Sequence, residues 1–255
     1  MTEVALRGRE RIDDLLTHHL KIIQSDEVFS FSLDAVLLAR FCTVPARGKI
    51  IDLGTGNGVI PLLLSTRTQA TIIGVEIQER LWDMAVRNVA LNGLQHQLSM
   101  IHGDLREIRQ VTGAGSFDVV TINPPYLPIA SGDKNINAHV AEARHEINCT
   151  LAEAVAACAG LVRAGGKVAM VHRASRLAEI IVLFRQHRLE PKRIRFVHPR
   201  AGQEANLVLV EATRDGKPEV RLLPPLIVHE GESYCRELED IYLGRQNRLT
   251  AGEGG

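Results

Sequence analysis

The sequence predicts an α/β domain: a seven-stranded, mostly parallel sheet with an antiparallel closing hairpin and helices on both faces. Three observations lead there. From Lys49 onward, short apolar runs alternate with segments of helical periodicity, a pattern that needs parallel strands joined by right-handed crossover helices. A glycine-rich turn, Gly54-Thr-Gly-Asn-Gly58, follows the first run directly. Gly54, Glu76, Asp104 and Asn123 fall at the carboxyl ends of the predicted strands, where open sheets of this kind bind ligands.

Taken in order, residues 1–48 form an N-terminal extension that begins charged and mixed. Leu20–Gln24 has strand character, Ser25-Asp-Glu27 reads as a turn, and Ser32 stands as an N-cap. Leu33, Val36, Leu37 and Phe41 are spaced for a helix with a buried face. The body, residues 49–213, opens with the strand Lys49–Leu53, the glycine turn and an apolar helix to about Ser65. Ala70–Glu76 is the second strand, and the next helix carries Leu81, Ala85 and Val89 to a stop at Asn92-Gly93. Leu98–His102 and Phe117–Ile122 are the third and fourth strands. Thr150-Leu-Ala-Glu153 is a capping box opening a helix. Gly165-Gly166 turns that helix into a fifth strand, Lys167–His172, and a helix with Leu177, Ile180, Ile181 and Phe184 follows. Ile194–Val197 and Ala205–Ala212 read as the closing hairpin. Residues 214–255 are a C-terminal extension, with Tyr234, Leu238, Ile241 and Tyr242 on one helical face that docks on the body.

The chain of 255 residues is 45% hydrophobic and 24% charged, an ordinary globular composition. Lys+Arg and Asp+Glu both number 30, so any basic face is local. Four scattered cysteines lack paired metal spacing and read as reduced thiols of a cytoplasmic protein. No apolar run has signal-peptide or membrane-span length. A membrane and a metal are therefore not expected as partners, and the oligomeric state, monomer or homodimer, stays open.

Chemistry concentrates at two places. The glycines at 54, 56 and 58 let a ligand approach the backbone, and Glu76 at the next strand tip can take both hydroxyls of a ribose. The G-x-G-x-G spacing disfavours a nicotinamide cofactor, which prefers G-x-G-x-x-G. At the fourth strand's end, Asn123-Pro-Pro-Tyr126 must leave the sheet as a stiff loop, because proline has no N–H to donate. The loop offers an amide (Asn123), a backbone carbonyl (Pro124) and an aromatic face (Tyr126), which together suit a flat amine.

The glycine loop, Glu76, Gly103-Asp104 and Asn123–Tyr126 together resemble the Rossmann-like class I S-adenosylmethionine-dependent methyltransferases. The tetrapeptide resembles that of the branch modifying planar amines. Leu20–Gln24, Phe29–Ala39, Ala143–Glu146 and Pro224–His229 are similar to the bacterial tRNA1(Val) adenine N6-methyltransferase family, which methylates the adenine 3′ of the anticodon. The resemblance implies S-adenosylmethionine as cofactor, tRNA as partner, and N6-methylation as activity. It makes Asn123, Pro124 and Tyr126 catalytic, the first two accepting the amine hydrogens and the last stacking on the target base. It implies cofactor contacts from Asp34, Asp52, Gly54, Thr55, Gly56, Asn57, Glu76, Ile77, Asp104, Leu105 and Asn123. Among these, Glu76 holds the ribose, Asp104 and Leu105 meet the cofactor adenine, and Asp34 reaches the methionine end. Substrate contacts are expected from Pro125, Tyr126, Lys134, Arg144, His145, Arg193 and Arg195, the last two within a basic cluster, Arg185–Arg200, that either tracks phosphates or forms a solvated face. Competing readings are a protein-glutamine N5-methyltransferase, whose N-terminal helical domain 48 residues hardly accommodate, an rRNA guanine N2-methyltransferase, a silent nucleotide-binding module and a dehydrogenase.

Overall fold

The structure, a computed structural model, describes residues 4–28, 32–126 and 149–245. The body's strands are β3 (Lys49–Leu53), β4 (Thr71–Glu76), β5 (Leu98–His102), β6 (Phe117–Ile122), β7 (Val162–Arg173), β8 (Leu189–Arg200) and β9 (Leu207–Arg214), after an N-terminal hairpin of β1 (Glu10–Asp14) and β2 (Lys21–Ser25). They lie in the order β5-β4-β3-β6-β7-β9-β8. The first five pair in parallel, and β9 runs antiparallel to both β7 and β8. This is the mostly parallel sheet with the antiparallel closing hairpin that the sequence predicts.

Successive strand residues enter opposite cores because side chains alternate across a strand. Ile50, Val119, Ala169 and Leu209 join one apolar cluster, with α1 (Leu33–Phe41) and α2 (Val59–Ser65). Their neighbours Ile51, Val120, Met170 and Val210 join the other, with α5 (Leu151–Leu161) and α6 (Leu177–Gln186). A sheet covered on both faces needs apolar residues at every position, which is why its strands read as unbroken runs rather than alternating ones. α3 (Glu79–Leu91) lies between the sheet and the hairpin, where Leu81 and Met84 pack against Ile23 and Val28. The Thr150 capping box is formed in full, and Asn92-Gly93 ends α3 with Gly93 at φ 67°.

The structure corrects several details. β1 was not expected from its charged sequence, nor was the short α4 (Ile108–Thr112). The fifth strand runs from Val162 through the Gly165-Gly166 pair to Arg173, and the hairpin strands are longer than expected. The C-terminal extension adds strands before its helix: β10 (Arg221–Leu222) and β11 (Leu226–Glu230) pair in parallel with β8, β12 (Ser233–Tyr234) pairs with β11, and α7 (Arg236–Tyr242) follows. Leu238 and Ile241 are buried in the α1 core, but Tyr234 lies in β12 and stacks on Tyr242 from outside the helix.

Arg193 and Arg195 are also corrected. On alternate positions of β8 they lie on the face shared by α1 and the C-terminal extension. Arg193 donates to Thr43 Oγ1 at 2.9 Å and pairs with Glu211 at 3.2 Å, its guanidinium 4.7 Å over the Phe41 ring. Arg195, only 7% exposed, donates to the Pro224 carbonyl at 3.0 Å and to both Glu237 oxygens at 2.8 Å. These side chains tie the two extensions to the sheet and are not presented to a polyanion. Arg195→Ala is expected to lower the unfolding free energy by about 2 kcal/mol, the loss of a charged hydrogen-bonded pair, as read by urea denaturation. An RNA-contacting residue would instead leave stability unchanged and weaken tRNA binding.

Candidate active site

The parallel strands end along one edge of the sheet, and a cleft opens there above Leu53, Glu76 and Ile122. Gly54, Gly56 and Gly58 take φ of 64°, 58° and 86°, the left-handed region that favours glycine. A Cβ on Gly54 or Gly56 would meet nothing within 4 Å. These two glycines therefore answer to the backbone, and they leave bare peptide facing an open space. Gly74 is different, since a Cβ there would lie 2.5 Å from Met100 Sδ and 2.9 Å from Thr55 Cγ2. Its missing side chain lets Thr55 pack down on β4.

Glu76 holds the loop from the next strand. Its Oε2 accepts the Gly56 N–H at 2.8 Å and its Oε1 accepts the Gln78 N–H at 2.9 Å. The residue is 5% exposed; burial raises the carboxyl's pKa while the amides of Gln78, Gly56 and Ile77 hold it down. Each carboxylate oxygen has two acceptor positions, so both retain capacity for a diol in the cleft. Thr55, Ile77 and Leu105 line the same space.

Of the expected cofactor residues, Asp52 is placed differently, while Asn57 and Asp104 border the cleft and also have partners within the protein. Asp52 is fully buried beneath the loop, not facing the cleft, and its Oδ1 accepts the Thr121 hydroxyl at 2.6 Å. Asn57 borders the cleft, but its Nδ2 donates to the Ile23 carbonyl at 3.1 Å. It works beside Asn88 of α3 and Asn92 at that helix's C-cap, whose amides take the N–H and C=O of Ile23 and Lys21 along the open edge of β2. Asp104 borders the cleft too, with its carboxylate held by the Arg106 side chain at 2.9 and 3.0 Å and by the Arg106 N–H at 2.8 Å. That guanidinium keeps the Asp104 pKa below the usual carboxylate range.

Asn123, Pro124 and Pro125 form the opposite wall. Tyr126 turns inward: its hydroxyl lies 2.6 Å from both Asp34 Oδ2 and Asn123 Oδ1. Its ring sits 5.0 Å from that of His172 at 56°, with the Arg173 guanidinium 5.8 Å from its centre. Burial, and then the Asp34 charge, raise the phenol's pKa well above its ordinary value. Tyr126 thus packs behind Asn123 rather than standing as a free aromatic face, and Asp34 reaches Asn123 through it. Lys134, Arg144 and His145 lie outside the described residues.

Thr121, Arg106 and His172 were not singled out from sequence. His172 sits at the carboxyl end of β7, so the strand-end rule pointed to it. It is fully buried, its Nδ1 accepts the Arg173 N–H at 2.8 Å, and its Nε2 has no partner among the described residues. Burial, followed by the Arg176 charge, holds its pKa down to about 4. Among the described residues no group of three or more His, Cys, Asp or Glu side chains is arranged to hold a metal ion, and no helix is long and apolar enough to cross a membrane. All four cysteines are buried, and none is joined in a disulfide among the described residues.

Comparison with known proteins follows the same lines. Residues 19–178 match the methyltransferase small domain family. The tRNA1(Val) (adenine(37)-N6)-methyltransferase of Aeromonas hydrophila subsp. hydrophila is 29% identical over 221 residues, covering 86% of this chain and 87% of that protein. The protein of that name from Photobacterium profundum is 24% identical over 220 residues, covering 83% and 90%. Among solved structures, Atu636 of Agrobacterium tumefaciens, described as a predicted O-methyltransferase, superposes with a TM-score of 0.66 at 23% identity, covering 83% of this chain and 96% of that one. The geranyl diphosphate C-methyltransferase of Streptomyces coelicolor A3(2) gives 0.54 at 12% identity, covering 71% and 79%. The fold is the Rossmann-like one of these methyltransferases.

The buried acid makes a pH prediction. Burial pushes the Asp52 carboxyl up to about 7 from an ordinary 3.8. Between those values folding takes up a proton at Asp52, so its contribution to stability is complete at low pH and is lost as pH rises through 7. His172 acts oppositely: its contribution is lost as pH falls from 6.5 to about 4. Asp52→Asn removes only the first effect. Relative to the wild type, the variant is expected to gain about 1 kcal/mol per pH unit between roughly pH 5 and 7, measured by denaturant unfolding across that range. A constant difference would show that Asp52 titrates normally.

Proposed function

The chain belongs to the methyltransferase small domain family, and from that premise we propose that it transfers the methyl group of S-adenosylmethionine to the N6 amine of an adenine in RNA. The substrate we favour is the adenine 3′ of the anticodon in tRNA1(Val). The observation that carries this reading is the shared cleft: Asn123 and Pro124 face the same space as the glycine loop and Glu76. This shared lining supports reading Asn123 and Pro124 as the amine acceptor and Glu76 as the nucleoside-binding carboxylate of one site. The names of the Aeromonas and Photobacterium relatives, which this chain parallels over nearly their whole length, support the choice of base and RNA.

The residues present fit such a cofactor. The bare peptide over Gly54 and Gly56 leaves room for the methionine and ribose portions, Glu76 has acceptor capacity for the ribose hydroxyls, and Ile77 and Leu105 supply apolar walls for a flat ring. When bound, the cofactor supplies an electrophilic methyl on a sulfonium.

The protein's share of the chemistry is electrostatic and positional. An adenine amine is a weak nucleophile because its lone pair is delocalised into the ring. Asn123 Oδ1 and the Pro124 carbonyl, accepting its two hydrogens, favour a pyramidal nitrogen with a localised lone pair. The same dipoles stabilise the positive charge that grows on nitrogen as it is alkylated, and holding the amine in place lowers the entropic barrier. The excess proton can leave after transfer, so no general base is assigned. We read residues 49–213 as the catalytic body and residues 1–48 and 214–255 as extensions packed on it.

Labelled S-adenosylmethionine with unmodified total tRNA, digested to nucleosides, is expected to yield N6-methyladenosine. Label appearing instead in a release-factor glutamine would overturn the choice of substrate. Asn123→Ala is expected to reduce turnover by about 100-fold or more, the scale for losing one preorganised polar group, with cofactor affinity measured by calorimetry nearly unchanged. A fully active variant would rule out this mechanism.

A further inference from the structure

The Tyr126 hydroxyl sits between two groups that are each set down as acceptors, Asp34 Oδ2 and Asn123 Oδ1, both at 2.6 Å. A phenol has one proton, so it can donate to only one of them. A carboxylate accepts the stronger, charge-assisted bond, and the phenol keeps its proton because burial and the Asp34 charge both oppose ionisation. The proton therefore goes to Asp34. With Asn123 Oδ1 against the phenol oxygen, two sets of lone pairs would then face each other at 2.6 Å with no hydrogen between them. The two ends of a carboxamide have almost the same shape, and the hydrogen-bond network decides which end faces where. A half-turn of the amide places Nδ2–H on the phenol oxygen and completes the chain Asn123 Nδ2–H to Tyr126 O, and Tyr126 O–H to Asp34.

We propose that Asp34 is a positioning and specificity residue: through the single proton of Tyr126 it fixes the Asn123 carboxamide with Oδ1, not Nδ2, turned away from the phenol and available to the cleft. An acceptor there selects an amine; a donor there would select a carbonyl. Asp34 thereby biases the site toward a substrate carrying an –NH2 group and against a keto group at the same place. The fold supports the arrangement from three sides. Asp34 is fixed in the first turn of α1, Asn123 by the end of β6, and the Tyr126 ring by His172 and Arg173 at the end of β7. The inference rests on the proposed methyl transfer to an amine and names what holds its acceptor in place.

The test is a double-mutant cycle with a second readout independent of turnover. Asp34→Asn and Tyr126→Phe are each expected to lower kcat for N6-methyladenosine formation by about tenfold, the worth of one charge-assisted hydrogen bond, with KM for S-adenosylmethionine unchanged. The double variant should be no slower than Tyr126→Phe, because Asp34 acts only through the phenol. In protein labelled with ¹⁵N-asparagine, the Asn123 side-chain amide resonances, assigned from their loss in Asn123→Ala, should be displaced by both substitutions. Multiplicative rate losses, a rise in KM for the cofactor on Asp34→Asn, or Asn123 resonances indifferent to Asp34 would each overturn the proposal. If the wild type methylates no RNA adenine, the substrate reading falls, while displaced resonances would still establish the positioning chain.

Discussion

One row of residues across the sheet sets the geometry of everything above it. Gly74, Asp52 and Thr121 stand in register on β4, β3 and β6. Two residues further along each strand come Glu76, Gly54 and Asn123. The buried bond from the Thr121 hydroxyl to Asp52 locks β3 to β6 directly under the two functional loops, and the bare Cα of Gly74 lets Thr55 settle onto the row. A slip of one residue would turn each side chain to the opposite face of the sheet. It would also separate the Glu76 carboxylate from the Asn123 amide. The cleft depends on this register more than on any residue inside it.

That dependence explains which parts of the site could be read from sequence. The glycine turn, Glu76 and Asn123 were legible because each combines a conformational demand with a strand-end position. Asp52 has the same prominence in sequence yet works below the surface, since a carboxylate beside a glycine turn can face either the ligand or the neighbouring strand. Asn57 borders the cleft and also helps close the edge of β2, where its amide and those of Asn88 and Asn92 replace a third strand. This also explains why β1 escaped notice. A two-stranded hairpin with one exposed side carries the charged sequence Glu10-Arg-Ile-Asp-Asp14 without an apolar run to reveal it.

Charge was the least legible feature. Arg193 and Arg195 sit in a basic stretch that reads equally well as a phosphate track. Their spacing holds the missing clue: in a strand covered on both faces, alternate positions are all interior, and Val197 continues the same face into the core. An arginine at such a position must find acceptors within the protein. Glu211, Glu237 and the Pro224 carbonyl provide them, so these two arginines act as rivets between the sheet and the extensions. RNA recognition would have to come from other surfaces.

The electrostatics of the cleft point to chemistry without a titrating catalyst. His172 is kept neutral by burial and a neighbouring arginine, and the Tyr126 phenol is kept protonated by burial and a neighbouring carboxylate. Asp104 is committed to Arg106. In the proposed reaction, what faces the substrate amine is a set of fixed, uncharged oxygens. Such oxygens need no reorganisation when positive charge develops on an attached nitrogen, whereas a free carboxylate at the same place would bind the product cation and slow its release. Alkylating a weakly basic amine demands modest stabilisation, well aimed, and a stiff Asn-Pro-Pro loop anchored by a buried phenol meets that demand.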